Sequence, residues 1–191
     1  MEFNKTYREF MTEAGKRTIT LYHGGNLKEG VKSSYSHKSK RWEYGPGLYL
    51  TSHYDTAATY AKGSRKLYEV TIEEGVELDD AKLDLDTGLE FINTYVTARK
   101  RRAIIDRIET KVKDGKFPSY MIVNLIINDK AIKPSKSGVL REFLVDNGID
   151  YNIIGNAFGW GETMLVLYNF DKVVNIEVAN KSYQDLPKEF S

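Results

Sequence analysis

A histidine followed by two glycines, Leu21-Tyr22-His23-Gly24-Gly25, and a glycine-bracketed tyrosine, Gly45-Pro46-Gly47-Leu48-Tyr49-Leu50-Thr51, are the segments of this chain best suited to chemistry. An imidazole donates from one ring nitrogen and accepts at the other, so His23 can bond a ribose hydroxyl in either tautomer. Backbone without side chains at Gly24 and Gly25 lets a ligand approach closely and leaves N–H and C=O groups to bond it. Tyr60 follows Tyr49 by eleven positions, and two tyrosine rings can sandwich a flat ring, each contact worth about 0.5–1.5 kcal/mol beyond area burial. The set describes a cleft for a planar aromatic ligand joined to a sugar. The ordinary alternative is a surface histidine at a strand end and two tyrosines of a strand-and-helix core.

Composition removes several other chemistries. Lys plus Arg (28) nearly balances Asp plus Glu (27), giving a net charge of +1, so whole-chain charge argues neither for nor against nucleic acid. The chain has no cysteine, which excludes disulfides, a thiol nucleophile and thiolate metal sites. Its three histidines, His23, His37 and His53, lack metal-ligand spacing, and no metal is expected. No P-loop or G-x-G-x-x-G motif is present. No apolar run approaches the ~20 residues that span a bilayer, so a soluble chain without a membrane partner is expected.

The elements that must position these residues follow from periodicity. At 191 residues the chain can bury one real core. Strands are expected over Thr18–Tyr22, Gly47–Thr51, Lys66–Glu73, Ile149–Ile154, Met164–Tyr168 and Val173–Val178. Ser52, with Asp55 three residues on, reads as the N-cap of a helix over Asp55–Lys62 that carries Tyr60 and stops at Gly63. Apolar residues at helical spacing predict one long helix over Leu89–Val112. Shorter helices are expected over Ser119–Asn128 and Lys136–Asn147, the latter ended by Gly148. Asn26–Tyr44 is polar and rich in Lys and Ser, a long surface loop. Strands at both ends with helices between indicate an α+β fold.

The two opening segments resemble the first two motifs of the ADP-ribosyltransferases, in the His-Tyr-Glu branch that includes diphtheria toxin and the poly(ADP-ribose) polymerases. Gly-Leu-Tyr-Leu-Thr, followed by a helix ending Ala57-Ala58-Thr59-Tyr60-Ala61, matches the second motif nearly position for position. The resemblance implies two small, mostly antiparallel sheets around an NAD cleft with flanking helices. It implies that His23 anchors the adenosine ribose, that the Gly24 backbone holds the nicotinamide carboxamide, and that Tyr49 and Tyr60 clamp nicotinamide. Polymerase-type members carry a serine where this chain has Ala57, so the carboxamide bond is missing or comes from Thr56.

The branch also calls for a glutamate at a late strand. Glu162 precedes Met164-Leu165-Val166-Leu167-Tyr168, yet alignment of that strand gives the glutamate position to Met164. The two residues share a strand face, and a bulge centred on Gly161 would deliver Glu162. As carboxylate, Glu162 would bond the nicotinamide-ribose hydroxyl and stabilise the positive charge that grows as the glycosidic bond breaks. Upstream, Gly148-Ile149-Asp150-Tyr151-Asn152-Ile153-Ile154 and the loop bearing Phe158 and Trp160 resemble the stretch before the catalytic strand in phage enzymes of this kind. The basic runs Lys100-Arg101-Arg102 and Lys38–Arg41 read first as solvated surface, and as phosphate contacts only in second place.

Residues 1–15 form a separate segment. Lys5-Thr6-Tyr7-Arg8-Glu9-Phe10 is similar to the capsid-targeting peptides of internal head proteins of T-even-type phages, and Met11-Thr12-Glu13 fits the site at which these are cut. A cut after Glu13 leaves residues 14–191, with a single domain over 16–191. The expectation is a phage-encoded mono-ADP-ribosyltransferase packed in the virion interior with the capsid as assembly partner. Delivered to the host cytoplasm, it would transfer ADP-ribose from NAD to a host protein and release nicotinamide. Two alternatives stand beside it: an inactive internal head or binding protein, and an RNA-modifying, 2′-phosphotransferase-like enzyme with a nucleic-acid target.

Overall fold

A computed structural model describes residues 17–27, 43–61, 66–133, 136–156 and 161–179. The N-terminal segment, the Lys38–Arg41 run, Gly63, Phe158 and Trp160 lie outside the described residues. In chain order the strands and helices are β1 (Thr18–Gly24), β2 (Leu48–Thr51), α1 (Tyr54–Tyr60), β3 (Leu67–Glu73), β4 (Lys82–Asp84), α2 (Leu85–Tyr95), α3 (Ala98–Glu109), β5 (Lys116–Pro118), α4 (Tyr120–Asn128), α5 (Ser137–Asp146), β6 (Tyr151–Gly155), β7 (Thr163–Leu167) and β8 (Val173–Val178). The fold is α+β.

Six strands form one sheet in the order β6-β7-β2-β1-β3-β8, every neighbouring pair antiparallel. β4 and β5 form a separate two-stranded sheet. Two antiparallel sheets are thus present, one of them larger than expected, and the larger is thin in its middle. β1 pairs with β3 over seven residues, whereas β1 meets β2 at a single pair, Tyr22 opposite Thr51. Two three-stranded halves thus meet at one seam.

The strand pattern explains the two faces. On β3, Val70 and Ile72 are fully buried while Glu69 and Thr71 are half-buried. Burying each such side chain is worth about 1.5–3 kcal/mol. Leu48 and Leu50 of β2 join Leu165 and Leu167 of β7 in one core. Val166 and Tyr168 turn the other way, into a larger core with Phe91, Ile104, Ile122 and Leu140 from the helices. β7 is buried on both faces, as suits a strand covered on both sides.

Two expectations change. The helix over Leu89–Val112 is two helices, because Val96 (ψ 139°) and Thr97 (ψ 135°) are extended. Thr97 donates its N–H to the Ala131 carbonyl (3.1 Å), a tertiary bond that replaces the helical one. Both are β-branched residues, which resist helix weakly. Ser52 is not a helix cap: the N-cap of α1 is His53, with no side-chain bond. The Ser52 hydroxyl instead accepts the Thr163 N–H (2.9 Å), tying the end of β2 to the start of β7.

The segment before β6 is pinned by Asp150. Its carboxylate accepts from the Val76 N–H (2.8 Å) and the Asn169 amide (2.8 Å) and pairs with Lys172 at 3.5 Å. The one carboxylate of the Gly148–Ile154 stretch is thus a structural junction.

Candidate functional site

The seam opens into a cleft of about 450 Å³, within the range of about 300–1,000 Å³ usual for small-molecule sites. Its wall includes His23 and Gly24 from β1, Tyr49 and Thr51 from β2, and Thr56 and Tyr60 from α1. The segments singled out by sequence are therefore brought together in space.

Gly24 lets α1 lie on β1. A Cβ at this position would stand 1.7 Å from the Ala57 carbonyl oxygen and 2.8 Å from the Ala61 nitrogen. The small residues Ala57, Ala58 and Ala61 complete this close approach, packing with Leu67 and Ala179. The glycine anticipated as a ligand contact is thus also needed to seat the helix that forms the opposite wall.

His23 bridges the seam with its side chain. Continued past Tyr22 and Thr51, the register would set Gly24 opposite Tyr49, but the strands part, and His23 Nδ1 lies 2.9 Å from the Tyr49 carbonyl oxygen. A carbonyl only accepts, so Nδ1 carries the proton. Burial holds the imidazole below its usual 6.5, opposed in part by the bond to Tyr49. The neutral ring therefore has an unprotonated Nε2, ready to accept a ligand hydroxyl. A Cβ at Gly25 would stand 2.6 Å from that nitrogen, so the glycine keeps it uncovered.

Tyr49 is fixed at its far end. Its hydroxyl donates to the Gly45 carbonyl (2.9 Å) and accepts the Tyr44 N–H (3.2 Å). Gly45 has φ +113°, and a Cβ there would meet the Tyr168 hydroxyl at 2.7 Å. With its hydroxyl engaged in this turn, Tyr49 offers the cleft its ring. Tyr60 is 63 % exposed. Partial burial, then the carboxylates of Glu43 and Glu162, push its phenol above the usual value, so it stays protonated.

Glu162 and Met164 take different places. Met164, opposite Thr51 in the ladder, is the side chain in the cleft wall. Glu162 sits just before β7, after a turn in which Gly161 has φ +74°, and is buried with 4 % exposure. Its two carboxylate oxygens accept from two different hydroxyls, Thr51 Oγ1 and Thr56 Oγ1, the latter at 2.9 Å. Both threonines line the cleft. Glu162 is not itself among the lining residues: a turn, without a bulge in the strand, sets its carboxylate behind Thr51 and Thr56. The Thr56 hydroxyl, expected to serve a carboxamide, gives its proton to Glu162.

Sequence reasoning missed Thr51, Tyr22, Tyr44 and Glu43 as wall residues. Thr51 carried a signal, a polar residue closing an apolar strand. Among the described lining residues there is no Lys or Arg, and the wall presents aromatic rings and hydroxyls. The basic run on α3 is spent locally: Arg101 Nε donates to the Val96 carbonyl (2.8 Å), Lys100 Nζ to Lys130 (3.1 Å), and Arg102 pairs with Asp106 (2.8 Å). Among the described residues no cluster of three His, Asp or Glu could hold a metal, and no helix is long and apolar enough to cross a membrane.

No protein-family model and no curated protein matches the chain. Among solved structures it is similar to one described as the crystal structure of an anti-CRISPR protein, at 12% identity and a TM-score of 0.39. The match covers 85% of this chain and 96% of that one. A likeness this distant carries no argument about fold or function.

Proposed function

We propose that the protein is an NAD-dependent mono-ADP-ribosyltransferase of the His-Tyr-Glu kind, acting on a host macromolecule after delivery by a phage. The observation that carries this reading is the meeting, in one cleft, of the unprotonated Nε2 of His23 with the rings of Tyr49 and Tyr60 beside the buried carboxylate of Glu162. His23 accepts a ribose hydroxyl, and the tyrosine rings hold the nicotinamide. Glu162 bonds the nicotinamide-ribose hydroxyl and stabilises the oxocarbenium-like charge. The C1′–N bond breaks, its electron pair leaving with neutral nicotinamide. The acceptor gives a pair to C1′ and sheds a proton. Rate enhancement comes from orientation and charge stabilisation. A protein is the acceptor in this reading, and a nucleic-acid acceptor is the outcome that the nuclease arm detects.

The second reading, a binding protein of this shape without turnover, draws on Met164: a thioether holds the wall position that alignment gives to the glutamate. Incubation with labelled NAD and bacterial lysate, followed by protease or nuclease, separates these readings. Protein-bound label, lost on His23→Ala or Tyr49→Ala substitution, is the expected result. Label on RNA favours the nucleic-acid enzyme, and no nicotinamide release at high protein concentration leaves the binding protein. Full activity in the His23→Ala variant would remove the site assignment.

A further inference from the structure

We propose that Thr51 and Thr56 are positioning residues that clamp the Glu162 carboxylate in one orientation directly behind the cleft wall. A carboxylate only accepts hydrogen bonds, at about four lone-pair sites. Here one site on each oxygen is taken by a threonine hydroxyl, and both threonines line the cleft, so the carboxylate is held directly behind its wall. The direction of the Thr51 bond follows from the carboxylate, which only accepts, so the hydroxyl donates to it; Oγ1 also accepts the His53 N–H (3.1 Å). A hydroxyl that accepts while donating is polarised and donates more strongly.

The two threonines come from different elements. Thr51 ends β2 at the seam pair, and Thr56 lies in α1. The clamp therefore fixes the carboxylate to both walls at once. Glu162 has no cation partner among the described residues, so these neutral donors orient it without cancelling its charge. The role as a catalytic device rests on the donor reading above, whereas the clamp itself is a property of the side chains.

The test uses the full chain with Thr51→Val, Thr56→Val and the corresponding serine variants. In NAD cleavage, each valine variant is expected to lose about 10- to 100-fold in kcat with KM for NAD changed less than about threefold, since orientation of the carboxylate acts in the transition state. The serine variants, which restore the hydroxyl, return to within about threefold of the parent. In a Glu162→Ala background the Thr51→Val change has no further effect, because residues acting through one group are not additive. Side-chain couplings in glutamate-labelled protein read the clamp without turnover: one Glu162 rotamer in the parent, averaging in the valine variants. Should the parent release no nicotinamide, the donor reading fails and the rotamer measurement still decides the clamp. Valine variants with unchanged kcat and a single Glu162 rotamer would overturn it. Thr56→Val, at a half-buried position on α1, guards against a folding defect at the more buried Thr51.

Discussion

Two buried carboxylates in this molecule are satisfied in opposite ways. Asp150 is held by a backbone N–H, a side-chain amide and an ammonium, so its charge is matched where it sits. Glu162 is held by two hydroxyls and no cation among the described residues. A buried acid closed by a cation and backbone belongs to the architecture. One oriented by neutral donors behind a cleft wall has no protein cation beside it among the described residues and is the one to test for a role toward a ligand.

The comparison is broken most directly by neutralising each acid. Glu162→Gln is expected to lower NAD cleavage by about 10²–10³-fold, the usual cost of removing one electrostatic stabiliser of the transition state. Its unfolding midpoint in urea should fall less than that of an Asp150 variant, since the glutamine oxygen keeps one of the two hydroxyl bonds. Asp150→Ala is expected to do the reverse, costing about 2–3 kcal/mol in urea unfolding through its abandoned donors, with near-parent activity in the folded fraction. Equal effects at both sites would erase the distinction.

A smaller effect tests the helix that carries Thr56. Gly24→Ala sets a methyl into the Ala57 carbonyl, and overpacking of this kind costs about 1–3 kcal/mol. Because α1 must move, cleavage should fall more than stability suggests, whereas Gly155→Ala, with open space around it, should be near neutral.

The smallest effect is in pH. Burial holds folded His23 below 6.5, so the unfolded chain takes up this proton first. His23 therefore leaves stability unchanged above pH 6.5, and stability falls as pH drops from 6.5 through the folded value. Melting temperatures from pH 8 to 5 should decline more steeply for the parent than for His23→Gln. A parallel decline would show that the imidazole is not held neutral.

The candidate site was legible in the sequence at His23 beside its two glycines, at Tyr49 two residues past Gly47, and at Tyr60 by its spacing from Tyr49. These positions serve no apolar period, so their chemistry shows through. The seam was not legible, because the patterns of β1 and β2 reveal alternation but not how many residues pair between them. Thr51 was overlooked for a related reason: its partner, Glu162, lies 111 residues away. The break at Val96–Thr97 was hidden because apolar spacing runs on across it while only the backbone dihedrals change. β4 and β5, three residues each, are too short to display a period. Ser52 and Asp55 had the spacing of a cap, but the serine hydroxyl was claimed by Thr163.

The single pair Tyr22–Thr51 has a thermodynamic consequence. Where a continuous sheet would place further rungs of its ladder between β1 and β2, this molecule leaves a cleft. A ligand touching His23 on one half and Thr51 on the other acts as a removable splice across the sheet. Occupancy then raises the melting temperature of the whole domain by mass action, and amides on both sides of the seam should gain hydrogen-exchange protection together.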